Sequence, residues 1–385
     1  MTNVARSPEP AEESGRNPIS SLLIYGAPES SPDLFHAVPT QIIDPFLYVE
    51  TNGTRAATVT VLDADKLTPL GIEIIDLYEL GADEMFARGL SRHEIDLEFC
   101  LRACERLGVR RAAVPPEFPV AVADHLRAAG IEIVVDPEAF VNKRRAKTAS
   151  EIEGIRRAQK AADEAMGVAA RLIRELRPGL TCEDVRGEMQ AVCDAVGCDL
   201  PDDVIVSPGP QGAVGHEPGQ GPIAEGEGVI VDIWPRDPVS RCWADMTRTF
   251  VAGGGEPPGE LAEYWRLARE SLDTSFAAVR AGADCQAIYA LSCEPFERAG
   301  YLTQRNKPTG SKLDEGYFHS LGHGVGLEVH ERPNLGRTPD TLIAGDVITL
   351  EPGCYRKGFG GVRLEDLVLV REDGAEVLTD FPYDL

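Results

Sequence analysis

Apolar and polar residues follow two rhythms along this chain, and the change between them marks its organisation. Near the N-terminus the runs SLLIYGA, PFLYVET, RAATVTVLD and LGIEIIDL are short, apolar and separated by turn residues, which predicts strands. SRHEIDLEFCLRACERLG then predicts a helix, with Ser91 and Glu94 at capping-box spacing and Gly108 ending the run. PVAVADHLRAAGIEIVVD reads as helix, glycine, strand. Residues 19–145 are therefore expected to form a smaller α/β domain, behind a polar, disordered tail over residues 1–18.

A basic cluster in VNKRRAKTASEIE marks the domain boundary and runs into a second capping box, Thr148 with Glu151. The following helix places apolar residues at 152, 155, 158, 162, 165, 169, 172 and 176, the spacing of one buried face, and it stops at Pro178 and Gly179.

Beyond that helix the chain repeats itself. RPGLTCEDV, from Arg177, matches RAGADCQAI, from Arg280, as R-x-G-x-[T/D]-C-x-x-[V/I]. GEGVIVD at 226–232 matches GDVITLE at 345–351, each a glycine turn leading into a β-rich run that ends in a carboxylate. Asp245 follows Asp232 by thirteen residues, and Glu365 follows Glu351 by fourteen. Residues 146–385 thus predict a duplicated α+β domain in which each half reads helix, helix, then paired strands with one acid on each.

Composition narrows the partners. With 38 basic and 63 acidic residues the formal charge is -25, which repels nucleic acid and anionic membrane surfaces. No run approaches eighteen apolar residues and no signal-peptide core is present, so a cytoplasmic protein is expected. Nine scattered cysteines without a CxxC pair suit reduced, buried thiols.

The acids carry the chemistry. Asp232 ends the apolar run GVIVD, where a lone carboxylate is costly to bury, and Asp245 is expected to face it across a hairpin. Glu351 and Glu365 repeat the arrangement, and four inward carboxylates call for about two divalent cations. The nitrogen comes from HSLGHGVGLEVHE, residues 319–331, where Gly322, Gly324 and Gly326 leave space around His323. His319, His330 and, from AVGHEPGQGP, His216 are expected to share the same cavity. His36, His93 and His125 lack acidic or cysteine neighbours at ligand spacing. Cys242 and Cys354 read as small apolar fillers, and Trp234 and Trp243 as buried aromatics rather than pocket walls. Thr247 and Arg248 are placed to orient Asp245, and Asp366 to face solvent or a strand edge.

On VDIWP, ADMTRTF, HSLGHGVGLEVHE, TLEPGCY and GVRLEDLVLV, the chain resembles the pita-bread metallopeptidases, the family of aminopeptidase P and prolidase, over residues 19–385. The resemblance implies a creatinase-like N-terminal domain and a curved antiparallel sheet covered by helices on one side. It implies a centre of two divalent metal ions, manganese first with cobalt or zinc as substitutes, held by Asp232, Asp245, His323, Glu351 and Glu365. It likens His319 and His330 to histidines that hold the substrate amide and Arg363 to an arginine that assists in substrate binding; on that basis His216, His330 and Glu351 are expected to act in catalysis and His319 and Arg363 in substrate binding. The implied reaction is hydrolysis of the peptide bond between an N-terminal residue and proline, by a homodimer. Hydrolysis of a small amide or cyclic amidine, as in ectoine hydrolase-like members, and a binding module without chemistry are the alternatives.

Overall fold

Strand pairing begins where the first apolar runs do. The computed structural model describes residues 21–385, and the tail expected over residues 1–18 lies outside them. The chain divides after Phe140 into two units.

In the first unit β1 (Ser21–Gly26) leads into α1 (Pro32–Ala37), and β2 (Phe46–Thr51) forms a hairpin with β3 (Thr54–Val59). The expected strand RAATVTVLD is cut short at Val59. Thr60 accepts a hydrogen bond from Leu62 N and starts α2 (Val61–Leu67), so the cap overrides the β-branched run. After β4 (Glu73–Asp76) come α3 (Ala82–Ala87), α4 (Arg92–Arg106), β5 (Arg111–Val114), α5 (Val120–Ala128) and β6 (Glu132–Val135). The Ser91–Glu94 capping box is present at the start of α4. The six strands order as β4-β3-β2-β1-β5-β6. Leu23, Leu47 and Val49 pack on one face while Ile24, Phe46 and Tyr48 pack on the other, so this sheet is buried on both sides. α6 (Pro137–Arg145) spans the division.

The second unit is built twice over. Its first half opens with α7 (Ala149–Arg174), capped by the Thr148–Glu151 box, and α8 (Cys182–Val196), capped by Thr181 with Asp184. These helices cover the antiparallel sheet of β7 (Ile205–Pro208), β8 (Gly228–Ile233) and β9 (Met246–Val251). The second half opens with α9 (Gly259–Phe276) and α10 (Cys285–Arg298), the latter capped by Asp284, which accepts from Ala287 N at 2.9 Å. The repeated [T/D]-C pair is therefore a helix start, with Thr181 and Asp284 as the caps. The strands that follow are β10 (Glu315–Gly316), β11 (Gly322–Gly324), β12 (Glu331–Leu335), β13 (Val347–Leu350), β14 (Gly353–Arg356), β15 (Gly360–Arg363), β16 (Asp366–Arg371) and β17 (Gly374–Val377). They form one sheet in the order β12-β11-β13-β16-β17 and another in the order β10-β14-β15.

The halves join edge to edge. Glu365 N donates to Thr247 O at 3.0 Å, and Thr249 Oγ1 donates to Arg363 O at 3.0 Å. One sheet face is packed beneath the helices by Val229, Val231 and Phe250 in the first half and by Ile348, Leu350 and Val368 in the second. Side chains alternate along a strand, so Asp232, Thr247 and Thr349 point to the opposite face. All nine cysteines are buried and unpaired, and Cys242 and Cys354 fill space.

Asp366 departs from expectation. It does alternate away from Glu365, but toward the helices, where it is 3% exposed and pairs with Arg248 at 2.9 Å. Tyr383 donates to its other oxygen. Arg248 also donates to Thr247 O and Glu365 O, at 3.0 and 2.7 Å. It holds the seam between the half-sheets from beneath and does not touch Asp245.

Candidate metal centre and substrate cavity

Strand register delivers the acids to one face. β8 and β9 pair Asp232 with Thr247 and Ile233 with Met246, so Asp245 lies diagonal to Asp232 rather than directly opposite it. In the other half Leu350 pairs with Asp366, which puts Glu351 and Glu365 at the next step along. β11 brings His323 in beside them, with Gly324 opposite Ile348. A Cβ at Gly322 would stand 2.0 Å from Thr349 O, and one at Gly324 would stand 2.3 Å from Arg332 O. The glycines flanking His323 therefore let its strand close against both neighbours.

Asp245, His323 and Glu365 each offer a ligand atom, all within 4.8 Å of one another, the group with metal-site geometry among the described residues. His323 Nδ1–H donates to Gly324 O at 3.1 Å, which fixes the tautomer and leaves the Nε2 lone pair aimed inward. Nε2 lies 3.5 Å from Glu351 and 3.7 Å from Asp245. Burial and the neighbouring His330 ring depress His323 to about 4, so the imidazole is neutral at pH 7, as a ligand must be.

The carboxylates fit a cation. Burial, reinforced by Glu365, Asp232 and Glu351, pushes Asp245 well above the usual carboxylate range. Burial and the charges of Glu351 and Asp232 do the same to Glu365, and burial pushes Glu351 up to about 8. Among the described residues, Asp232 Oδ1 is buried without a hydrogen-bond partner, and one cation, Arg363, faces these four acids through its bond to Asp232 Oδ2. A donor set of four carboxylates and a neutral imidazole, with one charge of four offset, matches divalent metal ions.

A hydrogen-bonded chain ties the centre to its surroundings. Thr247 Oγ1 donates to Glu365 Oε2 at 2.7 Å and accepts from Arg363 Nε at 3.1 Å. Thr247 thus orients Glu365, not Asp245 as expected. Arg363 Nη1 donates to the Tyr355 hydroxyl at 3.2 Å. His319 Nδ1–H donates to Ser320 O at 2.8 Å, so its Nε2 accepts the Tyr355 proton at 2.9 Å. Burial and the Arg363 charge hold His319 down at about 3, and burial pushes Tyr355 up to about 12. Arg363, 6% exposed, spends its donors on Asp232, Tyr355 and Thr247.

Asp232, Asp245, Glu351, Arg363 and Glu365 open on a cavity of about 810 Å³, on which His216, His319, His323 and His330 all border. The His330 ring lies 4.3 Å from that of His323. Burial and His216 lower the pKa of His330. Ile205, Pro218, Trp234, Phe318 and Val329 supply apolar wall. Trp234 is therefore a wall residue, contrary to expectation, while Trp243 stacks against Arg236 at 5.4 Å. Tyr355 had no place in the sequence reading. Its signal is a pair of glycines: a Cβ at Gly353 or at Gly361 would come within 2.3 Å of the Tyr355 side chain.

The chain is 32% identical over 260 residues to the probable dipeptidase PepE of Mycobacterium tuberculosis (strain ATCC 25618 / H37Rv), a match covering 67% of this chain and 64% of that protein. It is 32% identical over 236 residues to an Xaa-Pro dipeptidase of Pyrococcus furiosus (strain ATCC 43587 / DSM 3638 / JCM 8422 / Vc1), covering 60% of this chain and 62% of the relative. The chain thus matches less than two thirds of the length of these relatives. The solved structure of an Xaa-Pro dipeptidase from Bacillus anthracis superposes with a TM-score of 0.78 at 23% identity, covering 95% of this chain and 94% of the other, and it shares the fold. That fold is the pita-bread arrangement, with an α/β domain before it. Residues 153–372 match the profile of metallopeptidase family M24, and the chain belongs to that family.

Proposed function

We propose that this chain is a two-metal hydrolase that cleaves the peptide bond between an N-terminal residue and proline, as an aminopeptidase or dipeptidase. The observation that carries the reading is the meeting of Asp245, His323 and Glu365 within 4.8 Å at the floor of an apolar-walled cavity. Asp232 and Glu351 complete a set able to hold two divalent ions, manganese being suited to so oxygen-rich a site. When bound, the ions supply Lewis acidity that polarises the scissile carbonyl and acidifies water.

The remaining work falls to side chains. Glu351 takes a proton from the attacking water and delivers it to the leaving nitrogen. His330 and His216, at the cavity edge, donate to the carbonyl oxygen as charge develops on it. Phe318, Trp234 and Val329 accept the proline ring and exclude water from it. Arg363 and His319, held to each other by the Tyr355 hydroxyl between them, position the substrate from the cavity wall. The names of the relatives, dipeptidase and Xaa-Pro dipeptidase, support the same substrate class.

Manganese-loaded protein assayed against Xaa-Pro dipeptides and longer Xaa-Pro peptides tests the proposal. Turnover of either, lost on chelation, is the expected result. Turnover of none would sink the peptidase reading.

A further inference from the structure

The basic cluster at the domain boundary ends up as a buried charge network that the proposed chemistry leaves unused. Arg144 Nη1 donates to Glu331 Oε2 at 3.1 Å, and its Nη2 pairs with Glu328 at 2.7 Å. Lys147 Nζ donates to Glu331 Oε1 and, at 2.9 Å, to Arg144 O. The side chains of Lys147 and Glu331 are each 3% exposed. Arg145 serves elsewhere, in a bidentate pair with Asp346 at 2.9 and 2.6 Å. Both oxygens of Glu331 are thus held from a segment more than 180 residues away in sequence.

Glu331 follows His330, and regular pairing does not extend to His330. β11 and β12 pair His323 with Asn334 but Gly324 with Glu331, so the register slips between them. Before Glu331 the chain makes a tight turn in which Gly326 N donates to Glu328 O at 3.0 Å. A Cβ at Gly326 would stand 2.5 Å from Glu331 Oε1 and 2.8 Å from Lys147 Cε, so a glycine is required for the network to close. His330 leaves this turn with its ring 4.3 Å from that of His323. Among the described residues no ladder pairing aims it, and the side-chain anchor one residue on is available to do so.

We propose that Arg144 and Lys147 are positioning residues that, through Glu331, hold His330 over the metal face. The inference rests on the peptidase reading for the role of His330, but the anchoring itself does not. A salt bridge serving stability alone would change melting without changing turnover per folded molecule. An anchor for His330 changes turnover, because a displacement of about 1 Å in an active site can cost about 100-fold in rate.

The test uses the full, manganese-loaded chain and the variants Lys147→Met, Glu331→Gln and Lys147→Arg. The second keeps the shape of the glutamate and serves where the first fails to fold. Lys147→Met and Glu331→Gln are expected to lower kcat about 10- to 100-fold with KM within about threefold and metal content unchanged, and Lys147→Arg to recover most of the loss. Hydrogen exchange over residues 326–331 is expected to quicken in the first two while α9 and α10 stay protected. A kcat within about twofold of the parent, or a loss that tracks metal content, overturns the proposal. Unchanged exchange over residues 326–331 overturns the anchoring even if the parent cleaves no Xaa-Pro substrate, and quickened exchange sustains it in that case.

Discussion

The two halves of the second unit share a backbone plan and differ in what they place on it. In the first, β7 pairs with β8 so that Ile205 faces Asp232 and Ser207 faces Ile230. In the second, Glu351 N donates to Leu321 O, and Gly324 faces Ile348. The position two beyond the residue facing the acid is therefore Ser207 in one half and His323 in the other. Ser207 is buried and donates to Glu217 O, fastening the loop that carries His216. His323 aims a lone pair at the acids. Duplication has repeated the strands and the carboxylates, while the equivalent neighbours have diverged into the proposed metal ligand and a loop anchor.

The sharpest way to break this comparison is at the acids, where the halves are alike. Asp245→Asn is expected to lower kcat/KM for Xaa-Pro substrates about 10³-fold or more, because several kcal/mol of transition-state stabilisation depend on the metals. The same variant without metal is expected to melt higher than the parent, since it removes one of four mutually repelling buried carboxylates. Retained activity, with bound manganese measured alongside, would refute the assignment.

Thr247→Val comes next. It removes the donor to Glu365 and is expected to weaken metal binding about 10- to 100-fold in chelator competition. Unchanged affinity would mean that Glu365 is oriented by its backbone alone.

A smaller effect concerns pH. The folded-state pKa of Glu351 is raised from 4.5 to about 8, so the metal-free folded protein binds that proton more tightly than the unfolded chain does. Its contribution to stability is complete below pH 4.5 and is lost as pH rises through about 8. Metal-free protein should therefore lose melting temperature across that window, and manganese should restore more at pH 8 than at pH 5. A flat metal-free profile would contradict the mutual burial of the acids.

The smallest effect separates the equivalent positions. Ser207→Ala should leave metal content unchanged and cost about 1 kcal/mol in chemical denaturation, the worth of one buried hydrogen bond. His323→Ala should lose metal. Equal outcomes for the two would show that the halves have not diverged as the structure implies.

Much of this was legible beforehand because it depends on short stretches of chain. Capping boxes at Ser91 and Thr148 start the helices they predict, since a cap is decided within four residues. The carboxylate ending each apolar run marks a sheet face, since strand alternation is equally local. Thr60 shows where such reading fails, because a cap inside an apolar run ended β3 early. Asp366 and Trp234 failed for another reason: alternation tells which face a residue takes, not what covers that face. Arg248 lies beneath Asp366, and an open cavity lies beside Trp234.

The sequence by itself determined the duplication, the helix starts, and the residue types able to meet at a metal, because periodicity and spacing are properties of the local chain. Only the tertiary structure decided which partner each of those residues holds. Arg363 on Asp232, Thr247 on Glu365, Tyr355 on His319, and Lys147 on Glu331 join segments apart in sequence. Such pairings follow from how folded elements stack and from the cost of burying a polar group without a partner, and neither leaves a local signature.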